Sequence, residues 1–164
     1  MRDAQQVEPA SSGYSGSPLP KKLGIKEGHY VAFVREPDGF RTTLGEVPED
    51  VKITTRAGVP RNTRSGGTLD VVVAFFKRRS DFETRLPKLM DALDIDGGLW
   101  IAWPKRASGV TSDITEDTVR EVALPLGMVD NKVCAIDETW SGLRLVYRKQ
   151  NRDAVRARRV LRYP

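Results

Sequence analysis

The sequence predicts a three-layer α/β fold: about six strands in one mostly parallel sheet, with helices on both of its faces. Three observations lead there. Short runs of β-branched and aromatic residues recur without polar alternation, as strands covered on both faces require. Segments with apolar residues at helical spacing stand between them, so strand and helix alternate. The last two runs are only a few residues apart, which suits an antiparallel pair at the C-terminal end.

Residues 1–16 are rich in Gln, Ser, Gly and Glu. They have little to bury against an ordering entropy of about 1–2 kcal/mol per residue, so disorder is expected. Residues 17–149 make the single domain and 150–164 a basic tail. Leu19 and Leu23, four apart, predict one or two helical turns ended by Gly24. Residues 29–34 read as the first strand. Phe40, Leu44 and Val47 predict a short helix closed by Pro48, and residues 51–54 a second strand. Residues 56–68 hold Gly58, Pro60, Gly66 and Gly67 with no periodicity, the signature of a loop.

Residues 70–76 are the clearest buried strand. The next helix is announced by Ser80-Asp81-Phe82-Glu83, a capping box by pattern, and its stripe is Phe82, Leu86, Leu89, Met90 and Leu93. Pro87 removes one of its hydrogen bonds and predicts a bend. Asp96-Gly97-Gly98 reads as a turn into a strand over residues 99–103, stopped by Pro104. Thr115 is a fitting N-cap, with Glu116 and Asp117 in the first turn, for a helix that buries Val119, Val122, Ala123 and Leu126 and ends at Gly127. Residues 132–137 and 143–148 form the closing strand pair. This succession resembles the C-terminal half of a methyltransferase-type Rossmann fold.

The net charge is +5, but residues 148–164 hold seven basic residues and one acidic, so residues 1–147 sum to −1. Basicity belongs to the tail. Arg152, Arg156, Arg158, Arg159 and Arg162 are its candidate nucleic-acid contacts on a weak basic amphipathic helix, against a solubilising disordered terminus at even weight. Cys134 is alone and His29 is the only histidine. No disulfide within the chain and no Cys–His zinc site can form, which fits a reducing, cytoplasmic setting. No secretory leader is read in residues 1–16, and the longest apolar run, 71–76, falls far short of the roughly 20 residues that span a bilayer.

A Rossmann-like sheet makes demands that the residues do not meet. The loop after the first strand should carry Gly-x-Gly, and the second strand should end in an acid that grips ribose. Here Arg35-Glu36-Pro37-Asp38-Gly39-Phe40 and Thr54-Thr55-Arg56 stand instead. S-adenosylmethionine or a nucleotide in the usual mode is therefore disfavoured. His29 precedes the first strand, no Gly-x-Ser-x-Gly elbow exists, and Cys134 reads as a small core residue. Lys77-Arg78-Arg79 before a helix start could hold phosphate, but a solvated charge run is the stronger reading.

The site-like residues lie on two loops at the carboxyl ends of the strands, where open α/β sheets bind ligands. One offers Trp103, Lys105, Arg106, Ser108 and Asp113. The other offers Asp137, Glu138 and Trp140. Asp137 and Glu138 are adjacent, so they are not an acid–base pair by spacing, and Trp140 fits a side chain folded onto the sheet. No catalytic residue or metal ligand is assigned. A non-catalytic domain that binds a small molecule or a protein partner leads. The alternatives are a divergent S-adenosylmethionine-dependent methyltransferase-like enzyme and a nucleic-acid accessory protein acting through the tail.

Several strings together resemble one family. They are Tyr14-Ser15-Gly16, Lys21-Lys22-Leu23-Gly24-Ile25-Lys26, Trp103-Pro104-Lys105-Arg106-Ala107-Ser108-Gly109-Val110, Asp113-Ile114-Thr115-Glu116-Asp117 and Asp130-Asn131-Lys132-Val133-Cys134-Ala135-Ile136-Asp137-Glu138-Thr139-Trp140-Ser141-Gly142. They are similar to small bacterial proteins of unknown function, mainly actinobacterial, over about residues 14–149. Residues 61–68 and the tail depart from that family's usual length. The resemblance implies a bacterial, cytoplasmic protein and brings no reaction, ligand or site residue with it.

Overall fold

A computed structural model describes residues 17–55 and 69–162. The expected disorder of residues 1–16 and the loop over 56–68 lie outside the described residues. The order is α1 (Leu19–Leu23), β1 (Tyr30–Val34), α2 (Phe40–Leu44), β2 (Lys52–Thr54), β3 (Leu69–Phe75), α3 (Arg79–Ala92), β4 (Leu93–Pro104), α4 (Glu116–Ala123), β5 (Met128–Ala135), β6 (Trp140–Tyr147) and α5 (Arg152–Arg162). The six strands form one sheet in the order β2-β1-β3-β4-β6-β5. The first four run parallel, and β6 is antiparallel to both β4 and β5. The predicted class stands: a mostly parallel Rossmann-like sheet with an antiparallel C-terminal pair.

Side chains alternate across the pleat and both faces are buried, which is why the strands read as continuous apolar runs. One face sends Ala32, Val72, Leu99, Ile101, Leu143 and Leu145 against Phe82, Leu86 and Leu89 of α3, Val119 and Ala123 of α4 and Val155 of α5. The other sends Val31, Phe33, Val71, Val73, Phe75 and Trp100 against Leu19 and Leu23 of α1 and Phe40 and Leu44 of α2. Trp100 is wholly buried, and its indole N–H donates to the Leu23 carbonyl at 3.0 Å, tying α1 to the middle of the sheet.

Four local expectations need correction. Helix α2 ends at Gly45, before Pro48. The Ser80–Glu83 capping box does not form: the helix starts at Arg79, with Arg78 as an N-cap that contributes no side-chain bond. Instead the Arg79 N–H donates to Asp113 Oδ1 at 2.7 Å, a cap from 34 residues away that no local pattern could announce. Asp96-Gly97-Gly98 is not a turn, because β4 starts directly after α3 and the pairing with β3 shifts from Leu69↔Leu93 to Val71↔Gly98. Both glycines are there for space: a Cβ on Gly97 would lie 2.8 Å from the Asp70 carbonyl, and one on Gly98 2.3 Å from Arg144 Nε. The N-cap at Thr115 does form, in a reciprocal pair with Thr118, but the helix it starts ends at Ala123, and Leu126, expected in its buried stripe, is 47% exposed.

In the tail, the helical one of the two readings is the one that forms. Residues 152–162 are helical, and α5 is docked through Val155 and Arg159, which are 6% and 2% exposed. Arg159 Nη2 donates to the carbonyls of Met90 and Asp91 at 2.9 and 3.2 Å and to Tyr147 Oη at 3.2 Å. A guanidinium there satisfies the free carbonyls at the end of α3 and complements its dipole.

Candidate functional site

The strand order reverses between β1 and β3, and the crevice outside their carboxyl ends is where such a sheet places a ligand. In this chain its walls are joined by the protein's own side chains. Arg35, the first residue after β1, has φ of 61°, a left-handed conformation that costs a residue with a Cβ. Its guanidinium lies 5.7 Å over the Phe76 ring and 3.5 Å from Asp81 in the first turn of α3, so it spans from the β1 loop to the β3 loop. Phe40, at the start of α2, packs edge-on against Phe33 and Phe75, the ring centroids 5.0 Å away in each case. Phe75 meets Trp140 in the same manner at 5.1 Å.

The two expected loops do meet at this end of the sheet. The Lys105 N–H donates to the Thr139 carbonyl and its Nζ to the Asp137 carbonyl, each at 2.7 Å. Asp137 Oδ1 accepts from the Thr139 and Trp140 amides at 2.8 Å, which builds the β5–β6 turn. Ser108 Oγ donates to the Lys105 carbonyl at 2.7 Å and accepts from the Val110 N–H at 3.1 Å. Asp113 caps α3, and its own amide bonds the Lys77 carbonyl. Trp103 and Trp140 are each 7% exposed and turn to opposite faces of the sheet, into the two cores.

Six of the eight residues singled out in the sequence thus hold the loops or fill the cores. Glu138 is exposed, and so is Arg106. Depressions of about 510 and 600 Å³ flank the loop, the first against Arg106, Ile114 and Thr115, the second against Lys77, Arg78 and Ser80. The anion that Lys77 and Arg78 suggested at the start of α3 is the chain's own: the Asp113 carboxylate. Among the described residues no three His, Cys, Asp or Glu side chains could hold a metal. Cys134 is half-buried, and burial pushes its thiol pKa up although Lys22, Lys132 and Lys105 pull the other way. His29 stands at the opposite end of the sheet, its Nδ1 accepting the Lys26 amide at 3.1 Å. No helix among the described residues is long and apolar enough to cross a membrane.

The architecture is that of the Rossmann-like methyltransferases. A putative type 11 methyltransferase from Sulfolobus solfataricus superposes with a TM-score of 0.56 at 13% identity, covering 80% of this chain and 90% of that one. A SAM-dependent methyltransferase from Aquifex aeolicus gives 0.54 at 16%, covering 77% and 86%. A DhpI–SAH complex gives 0.51 at 11%, covering 80% and 83%. At such identities the likeness is one of fold. The chain itself belongs to the family described as protein of unknown function (DUF3052), whose model matches residues 21–149. A search of curated proteins finds no match in sequence.

Arg35, Phe40 and the Asp113 cap escaped the sequence reading. Phe40 was legible as a buried helix residue, but not as one whose ring bridges β1 and β3. Arg35 and Asp113 act through partners 46 and 34 residues away, beyond the reach of a local pattern.

Proposed function

We propose that this chain uses a methyltransferase scaffold to bind a small molecule or a protein partner without transferring a methyl group. The surface involved is at the carboxyl ends of the strands, around residues 105–115 and 136–139. The observation that carries this reading is the bridging of the β1/β3 crevice by Arg35 and Phe40, where a Rossmann protein holds its cofactor. Arg106 and Glu138 are exposed charged groups, one on each loop, that take no part in joining the loops or capping α3, and they are the proposed contacts.

A divergent S-adenosylmethionine-dependent methyltransferase is the second reading, and the structural likenesses favour it. SAM or SAH in the neighbours' printed names is said of those proteins, and here the cofactor would need Arg35 to swing out of its place. A nucleic-acid role for the tail has less support. Arg159 is committed to α3, Arg152 to the Tyr147 carbonyl and Asp96, and Arg156 to Asp153; Arg158 is exposed.

Native mass spectrometry of the full chain, purified without denaturation, separates the first two. A retained ligand of another mass, lost when Arg106→Ala and Glu138→Ala are combined, is the expected result. Retained S-adenosylmethionine or S-adenosylhomocysteine overturns the first reading in favour of the second.

A further inference from the structure

At the amino ends of the parallel strands, away from the loops above, lies a cavity of about 470 Å³ lined by α1, the start of β4 and the middle of the β5–β6 pair. Arg144 reaches into it. It sits between Leu143 and Leu145 on β6, opposite Trp100 on one side and Lys132 on the other, so it projects from the thinly covered face of the sheet. Its guanidinium occupies the volume over Gly98, where any larger residue would collide with it. Among the described residues it has no carboxylate partner, and its only hydrogen bond is to Asn131 Oδ1 at 3.4 Å. Burial lowers its pKa from the ordinary arginine value, with no acid to offset that.

The neighbours are cationic and held in place. Lys22 Nζ donates to the Ala135 carbonyl at 3.4 Å, and Lys132 Nζ to the Lys22 carbonyl at 3.2 Å, a mutual brace between α1 and β5. Lys26 lines the mouth with its ammonium outside these bonds. The acids of the same cavity are engaged elsewhere. Asp70 accepts the Tyr30 amide at 2.8 Å, Asp94 the Asp96 amide at 2.9 Å, and Asp96 faces Arg152 at 3.6 Å. A concave site whose half-buried guanidinium is paired with none of these carboxylates is suited to a bidentate oxyanion.

We propose that this cavity binds a small molecule through a carboxylate or phosphate group gripped by Arg144, with Lys22, Lys26 and Lys132 around it. The guanidinium fork is the specific contact, and the ammonium groups add a less directional attraction. This site is independent of the strand-end surface. Its failure would leave the proposal for residues 105–115 standing, and the reverse holds.

Isotope-labelled full chain titrated with inorganic phosphate, and separately with acetate, at constant ionic strength provides the test. Nuclear magnetic resonance is preferred to melting, because phosphate stabilises proteins in general by exclusion. The Arg144 Nε–H resonance and the Gly97 and Gly98 amides are expected to shift saturably, and the anion that saturates at lower concentration gives the ligand's class. Arg144→Lys should weaken binding about tenfold, since an ammonium keeps the charge and loses the fork. The exposed Lys26→Gln change, which spares the fold, should weaken it two- to threefold. Shifts that stay linear with both anions, or a dissociation constant unchanged in both variants, would overturn the proposal.

Discussion

The two faces of the sheet are covered by different means. One carries α3, α4 and α5, which are 14, 8 and 11 residues long; α3 and α4 lay ordinary apolar stripes over the sheet, and α5 docks through Val155 and the buried Arg159. The other carries α1 and α2, five residues each, supplemented by the aromatic run Phe33, Phe40, Phe75 and Trp140. Isolated helices of that length are not stable in water, so their order comes entirely from the side chains they bury. The difference teaches where function has room. The thick face is a core, whereas the thin one leaves both the bridge at the carboxyl ends and the Arg144 cavity at the amino ends.

Substitutions on the two faces should therefore respond unequally. Phe82→Ala, on the thick face, removes a wholly buried ring between rigid partners and should cost about 3–5 kcal/mol in urea unfolding. Phe40→Ala should cost less, because α2 can settle into the space, and the comparison fails if the two lose the same stability. Gly97→Ala presses a methyl against the Asp70 carbonyl, backbone that cannot step aside, and should cost roughly 1–3 kcal/mol. Gly98→Ala meets the guanidinium of Arg144 first, a side-chain end that can step aside, so its smaller loss of stability should come with a displaced Arg144 resonance.

Smaller effects sharpen the same contrast. Trp100→Phe keeps most of the ring and strands the Leu23 carbonyl, for about 1 kcal/mol. Asp113→Ala uncaps α3 and should also cost about 1 kcal/mol by the same measurement. The smallest is chemical. With its thiol pKa raised by burial, Cys134 carries less thiolate at a given pH than a free cysteine, and iodoacetamide should alkylate it more slowly near pH 8. An equal rate would show that the thin face opens readily. The same raised pKa favours the protonated thiol in the native state, so this group's contribution to stability falls as pH climbs above the ordinary thiol range.

Much of the thick face was legible in the sequence, because helix periodicity is a repeated signal: Phe82, Leu86 and Leu89 announce α3, and Val119 and Ala123 announce α4. The strands were legible for a related reason, since burial on both sides removes polar residues altogether. What could not be read depends on pairs far apart in the chain. Asp113 looked like a ligand contact and is a helix cap. Gly97 and Gly98 looked like a turn and make room, one for the backbone of β3 and the other for a guanidinium. Arg144 stood out in the sequence only as part of the last strand, and only the strand order shows that it faces a cavity. Lys105 and Asp137 were placed correctly on neighbouring loops, although their atoms are spent on joining those loops.

Arg159 carries one more consequence. The family likeness stops at residue 149, three residues before α5 begins, yet Arg159 and Val155 seal the far end of α3 from beyond that limit. The stretch by which relatives are recognised is thus shorter than the stretch that folds. A fragment cut to the recognisable stretch would present bare carbonyls and an open apolar seat to its neighbours, and it should clump where the longer chain stays dispersed.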